Sequence, residues 1–303
     1  MIKCVKRNDL DINKWDQCIR QSYGGRVYAT SYFLDIVCIR GGWVGLVLDD
    51  YEAVMPLPLN NTFPFLPRIS PPLYAQQLGV FSQNILSSQI VEDFILAISS
   101  KYRAVYVQLN DTNHISALPN TEIKRRSNYI LSLDIPYEEI SKNYSKSLRR
   151  NIKLAKKNEL YLETIGVEEF ITFYLAHTSE KEKKRHSINS ILQSLLPVLK
   201  RKKEAKLFGV VSKDGHLIAA CVILKYQDRI TYLLSRSTIE GRKLRAMHLI
   251  IDEVIKNNLE TADKLDFEGS DIKSVAKFFS SFGAVNHPYT IVSYKRLPFS
   301  VFS

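Results

Sequence analysis

Apolar positions in the second half of the chain recur at two spacings, in a fixed order. Residues 159–165, ELYLETI, alternate with the period of a strand, and 167–177 and 188–199 repeat at helical spacing. KLFGVVSKDGHLIAACVILKY is an apolar run, a Lys-Asp-Gly turn and a second apolar run, which predicts a hairpin. RITYLLSRS predicts a further strand, and TIEGRKLRA a loop after it. Leu249, Ile250, Val254 and Ile255 then predict a helix over 247–257. A strand at 265–267, a helix at 272–282 and a closing strand pair at 285–296 complete the half. The first half repeats this order more faintly. It has a strand at 2–6, helices at 12–22 and 31–39, a hairpin in GGWVGLVLDDYEAVMPLPL, a helix at 85–99 and the strand AVYVQLN. IKRRSNYILSLD ends the unit. The pattern predicts a mixed α/β (α+β) protein of two similar units, 1–137 and 159–303, with 138–158 between them. About 150 residues per domain is the usual size.

The connecting segment has its own pattern. At 100° per residue, Lys142, Lys146, Arg149, Arg150, Lys153, Lys156 and Lys157 fall within an arc of about 120°. Tyr144, Leu148, Ile152 and Ala155 fall opposite them. A solvated helix usually intersperses Glu for i,i+4 pairs, and this one has no acidic residue on its basic front. The chain carries a net charge of +11, and residues 142–206 hold 16 Lys and Arg against 7 Glu. That concentration predicts a polyanionic partner or substrate.

Other chemistries leave no trace in the pattern. Cys4, Cys18, Cys38 and Cys221 have no C-x-x-C spacing and no companion histidines, which predicts reduced thiols in a cytoplasmic protein and no metal site. No apolar leader opens the chain and no apolar run is long enough to span a bilayer, so any membrane contact is expected to be peripheral. His114, His177, His186, His216, His248 and His287 show no partner spacing. No Walker loop and no Ser-His-Asp order is visible.

Four stretches carry a resemblance that covers nearly the whole chain: YSKSLRRNIKLAKK at 144–157, SRSTIEGRKLRAMHLIIDEVI at 235–255, LDFEGS at 265–270 and VAKFFSSFGA at 275–284. With the order of elements, they resemble the acyl-CoA-dependent N-acyltransferase (GNAT) superfamily. The tandem arrangement is similar to the Fem-type peptidoglycan aminoacyltransferases and their bacterial relatives. The resemblance implies two GNAT-like domains joined by a basic helix. It places the donor along the strand holding Ser235 and Arg236. Pyrophosphate would be wrapped by Gly241, Arg242, Lys243, Arg245 and Ala246, although the spacing between the two small residues is longer than the superfamily pattern. Asp266 and Glu268, at the end of a strand, are the candidate catalytic carboxylates, Glu268 foremost, as the base that takes a proton from an amine. Ser270 would line the same site. In the first unit ISPPLYAQQLGVFS supplies Tyr74 and Gln77 on a Pro-bounded strand as acceptor-binding groups. Arg149 and Arg150 would meet an anionic substrate. Many acetyltransferases carry a Tyr as general acid where this chain has Phe279.

These features predict an acyltransferase that moves an acyl or aminoacyl group to an amine, with acyl-CoA or aminoacyl-tRNA as donor and no covalently bound cofactor. The acceptor is a small molecule or a cell-wall precursor. Two alternatives stay open: an acetyl-CoA-dependent N-acetyltransferase of a sugar or small amine, and a non-catalytic module that binds RNA or anionic lipid.

Overall fold

The computed structural model describes residues 1–61, 66–257 and 262–296, apart from the side chains of 184–186. The described chain separates into two compact units, one formed by Met1–Ser127 with Pro288–Ser303 and the other by Asn128–His287.

Unit 1 holds an eight-stranded sheet. Its elements are β1 (Ile2–Lys6), α1 (Ile12–Gln21), α2 (Ser31–Val37), β2 (Trp43–Leu48), β3 (Ala53–Asn60), β4 (Arg68–Ile69), β5 (Phe81–Ser82), α3 (Ser88–Leu96), β6 (Ala104–Gln108) and β7 (Glu122–Arg126). The order across the sheet is β1-β2-β3-β4-β6, then the last strand of the chain, then β7. The hairpin β2–β3 forms where the apolar runs flank Asp49, Asp50 and Tyr51, and Asp49 and Tyr51 take the left-handed φ values that a tight turn needs.

Unit 2 holds β8 (Tyr129–Ser132), α4 (Tyr137–Lys142), α5 (Lys146–Lys157), β9 (Tyr161–Thr164), α6 (Val167–Ala176), α7 (Glu180–His186), α8 (Ile188–Arg201), β10 (Ala205–Val211), β11 (Leu217–Tyr226), β12 (Arg229–Ser237), α9 (Ile239–Lys243), α10 (Ala246–Asn257), β13 (Lys264–Asp266), α11 (Lys273–Ser281) and β14 (Val285–Asn286). β15 (Tyr289–Lys295) is the strand that enters the sheet of unit 1. The seven strands of unit 2 run β14-β8-β13-β12-β11-β10-β9. Odd positions of β11 pack with Ile230, Tyr232, α5, α10 and α11 into one apolar core.

Three expectations change here. The expected boundary at 137 falls at 127–128, because IKRRSNYILSLD divides: β7 belongs to unit 1 and β8 to unit 2. The closing pair at 285–296 divides likewise, with β14 on β8 and β15 between β6 and β7. The segment 138–158 is two helices inside unit 2, broken at Asn143–Tyr144, where Ser145 caps α5 by accepting from the Leu148 amide at 3.1 Å. Leu148 and Ile152 lie in the unit 2 core, Ala155 is also buried, and the cations at 142, 146, 149, 150, 153, 156 and 157 are exposed. Tyr137 donates to the buried Asp252 of α10 at 2.7 Å, and Lys156 approaches the same carboxylate at 3.5 Å. These polar contacts fasten α4 and α5 to α10.

Candidate active site

β12 and β13 are parallel neighbours for only three residue pairs, Arg229–Lys264, Ile230–Leu265 and Thr231–Asp266. β12 then continues to Ser237 against β11 alone. Among the described residues, no strand pairs with its other edge from Tyr232 onward. A bulge sits at the same place: Tyr232 opposes Ile223 and Leu234 opposes Val222, which leaves Leu233 extra. The extra residue reverses the alternation of side chains. Tyr232 and Ser235 therefore share the face that holds α10 and α11. Burial pushes the Tyr232 phenol well above its ordinary range, so it keeps its proton. Arg236 points to the opposite face. It donates to Thr178 at 3.2 Å and Glu182 at 2.7 Å, and lies over the Tyr174 ring at 4.4 Å. Ser235 and Arg236 are thus neighbours in sequence that serve different faces.

The two candidate carboxylates also separate. Asp266 is 2% exposed. One of its oxygens takes Arg229 Nη1 at 2.5 Å and the other accepts from the Glu268 amide at 2.9 Å. Both oxygens hold a donor from the fold, which ties Asp266 to Arg229 and to the turn at Glu268. Glu268 is no longer part of the strand. The Phe267 amide donates to Tyr129 O and the Tyr129 amide to Glu268 O, so two residues of this strand face one of β8. Glu268 is half-buried and has φ +61°, a conformation that costs a non-glycine residue about 1 kcal/mol or more. Asp266 thus ends the regular strand, and Glu268 follows it in a turn. Ser270 accepts from the Ile272 amide at 3.1 Å, whereas α11 has Ile272 at its cap position with no side-chain cap.

The segment after β12 is a helical turn, not an open loop. Thr238 caps α9 by accepting from the Gly241 amide at 2.9 Å. A Cβ on Gly241 would lie 2.1 Å from Ile218 O, so glycine is required there by close packing on β11. Arg242 donates to Ser237 O at 2.8 Å and Arg245 to Arg242 O at 3.2 Å. Arg245 has φ +65°, which turns the chain into α10 at the buried Ala246. Arg242, Lys243 and Arg245 are exposed. The amide of Gly241 and one N–H of each guanidinium are used within the turn itself.

His248, on the first turn of α10, was not singled out by its spacing. Its ring stands edge-on to Phe278 at 5.0 Å, and Nε2 lies 3.3 Å from Asn151 Nδ2 of α5. The ring nitrogen and the amide are within hydrogen-bond distance of each other. Burial, and then Arg245, push the imidazole down to about 4. His248 is neutral and ties α5 to α10. Next to it lies an aromatic cluster: Phe279 stacks on Phe267 at 4.9 Å and meets Tyr129 and Tyr232 at 6.0 and 6.2 Å. Phe279 is a core residue without a hydroxyl, and Tyr129 and Tyr232 bring phenols to its ring.

Unit 1 places the other two candidates in a turn. PPLYAQQLG is not a strand: Tyr74 has φ +65°, and Leu78 alone forms a bridge, to Leu109. Gln77 is 1% exposed and accepts from the Asp111 amide at 3.1 Å, which makes it part of the turn's framework. On α5, Arg149 donates to Lys142 O at 3.1 Å. Lys146, Arg149, Arg150, Lys153 and Lys157 have no carboxylate within ion-pair distance among the described residues. No cluster of three or more His, Cys, Asp or Glu is placed to hold a metal ion among the described residues. No described helix is long and apolar enough to cross a membrane.

Solved structures share this arrangement of elements over nearly the whole chain. FemX superposes with a TM-score of 0.68 at 12% identity, covering 97% of both chains. The fold is that of tandem GNAT proteins. A tandem GNAT protein from the clavulanic acid biosynthesis pathway aligns at 0.59 and 11% identity, over 98% of this chain and 99% of its own. L-PGS from Bacillus licheniformis aligns at 0.55 and 13%, over 96% and 94%. No protein-family model matches the sequence, and no curated protein matches it.

Proposed function

We propose that this protein is an acyltransferase that moves an aminoacyl group from an RNA-linked ester to an amine, at the open edge of β12. The observation that carries the reading is Glu268, held in a left-handed turn where β12 and β13 part. An extended donor can hydrogen-bond the free edge of β12 beyond Thr231. Glu268 takes a proton from the acceptor amine, whose nitrogen then attacks the ester carbonyl. The amide bond forms, the ester C–O bond breaks, and the departing ribose oxygen takes the proton that Glu268 removed from the amine, which restores the carboxylate. The Tyr232 hydroxyl, kept protonated, is a hydrogen-bond donor on the same sheet face as Ser235.

Two observations favour RNA over CoA. The turn at Gly241 has already used its amide and packed its α-carbon. The exposed front of α5 carries cations without carboxylate partners, as a phosphate backbone requires. The Fem-type resemblance agrees with an ester donor and with a cell-wall precursor as the amine, and Phe279 suits a reaction that has no thiolate to protonate.

Transfer from aminoacyl-tRNA to an amine panel, with wild type and Glu268→Gln, tests the reading. Glutamine keeps the shape and removes the base, so transfer should fall about 10²–10⁴-fold with donor affinity little changed. Thermal stabilisation by aminoacyl-tRNA and not by CoA is expected. Full activity of the glutamine variant, or stabilisation by CoA alone, would remove this assignment.

A further inference from the structure

The β14 edge of the same sheet carries a groove that the proposed reaction does not use. β14 pairs with only Tyr129 and Ile130 of β8, whereas β13 pairs with Ile130, Leu131 and Ser132. The chain before β14 turns away: Gly283 has φ +89° and gives its amide to Ser280 O at 3.1 Å. In an antiparallel ladder, successive residues direct their N–H and C=O to opposite sides. Leu133 donates toward β13, to Asp263 O at 2.7 Å. Ser132 therefore turns its own N–H and C=O outward, to the position that Gly283 leaves. The space there has a volume of about 440 Å³ and is lined by Ser132, Ile135, Ile140, Asp263 and Val285 among others. That volume lies within the range of real ligand sites, roughly 300–1,000 Å³.

The lining has a distinct character. Val285 and Ile135 are 60% and 41% exposed, two branched apolar side chains facing solvent. Asp134 and Asp263 stand on the rim, and neither has a cation within ion-pair distance among the described residues. The ammonium of Lys264, also in the lining, is 2.8 Å from Asp228 and is neutralised by it. In a chain of net charge +11, this groove is locally acidic. It repels the polyanions that α5 attracts, so nucleic acid and anionic lipid are poor occupants.

We propose that this groove docks an extended, Lys- or Arg-bearing peptide segment of a partner protein. The peptide continues the line of β14, exchanges N–H and C=O hydrogen bonds with Ser132, seats an apolar side chain between Val285 and Ile135, and sets a cation against Asp134 and Asp263. This is strand addition, in which the main chain supplies affinity and alternate side chains supply selectivity.

The probe is fluorescein-labelled Lys-Val-Lys-Val-Lys amide, followed by anisotropy on the full chain. Hydrogen exchange at Ser132 is measured in parallel. Binding should saturate and slow exchange of the Ser132 amide. Asp134→Asn with Asp263→Asn should weaken it about fivefold or more, the factor expected for loss of one exposed ion pair. N-methylation of both valines should weaken it further, since neither can then donate. Val285→Lys should abolish it while transfer activity is retained, because β8 stands between β14 and the strand that leads to Glu268. Equal binding of the Glu-Val-Glu-Val-Glu peptide, indifference to N-methylation, or absence of any change at Ser132 would each overturn the proposal.

Discussion

Replacing Asp266 by Asn tests whether this carboxylate serves the fold or the chemistry. Asparagine keeps the shape and can still accept from the Glu268 amide. Its NH₂ group would then face Arg229 Nη1, which now lies 2.5 Å from a carboxylate oxygen. Two donors would oppose each other around a guanidinium whose side chain is 5% exposed. Removing one partner of a buried pair costs about 3–5 kcal/mol, because a desolvated charge is left behind. Domains are stable by about 5–15 kcal/mol in all, so the loss should be large. Arg229→Met alone should cost a similar amount. The double variant Asp266→Leu with Arg229→Met should recover most of it, since a well-packed apolar pair is often neutral or better. Urea unfolding gives the global number. Hydrogen exchange over 229–237 and 262–268 gives the local one, which matters because two units need not unfold together. An Asp266→Asn protein within about 1 kcal/mol of wild type in stability, yet inactive in transfer, would refute the structural role and return Asp266 to the reaction.

Four further outcomes are expected. His248 titrates at about 4 in the folded protein against an ordinary 6.5, so the unfolded chain binds its proton first. Stability should be unaffected by this group above pH 6.5 and fall as pH drops toward 4, by at most about 3 kcal/mol, and His248→Phe should flatten that part of a melting-temperature profile. Glu268→Gly should relieve the left-handed turn and raise stability by about 1 kcal/mol while transfer collapses; a loss of stability would show that the side chain braces the turn. Gly241→Ala should cost about 1–3 kcal/mol by forcing α9 off Ile218 O, and a neutral alanine in urea melts would refute the close approach. Tyr137→Phe should cost about 1.5–3 kcal/mol by removing a hydrogen bond to the Asp252 carboxylate, read by the same melts.

What the sequence shows depends on how local the cause is. The α5 stripe was legible because its burial follows from 3.6-residue spacing alone: Leu148, Ile152 and Ala155 are buried and the cations are outside. The hairpins β2–β3 and β10–β11 were legible because turn residues lie between two apolar runs. The partner of a strand is not local. Alternation marks β8 and β15 as strands, but nothing within them says that each lies in the sheet of the other unit from its sequence neighbour. Gly241 shows the same limit, since its small size answers to Ile218, more than 20 residues away. Asp266 and Glu268 sat at alternate positions, and only the extra residue opposite Tyr129 separates their fates. Tyr232 and Ser235, three apart, would share a face in no regular strand, and the bulge at Leu233 that unites them has no marker in RITYLLSRS.

The placement of β15 between β6 and β7 makes unit 2 an insertion within unit 1. Its two ends are adjacent, with the His287 amide 2.7 Å from Asn128 O, so the inserted stretch closes on itself. Synthesis must then complete the units in the reverse of the order in which they begin. When β14 has emerged, every described strand of unit 2 is available, yet the first unit still has a gap in its sheet. β7 has no neighbour at all, and β6 presents Val105 and Val107 on an open edge, until residues 289–295 arrive. Open apolar edges recruit other chains. A stop codon or a protease cut just before Tyr289 would therefore spare the domain that holds Glu268 and turn the other into a template for aggregation.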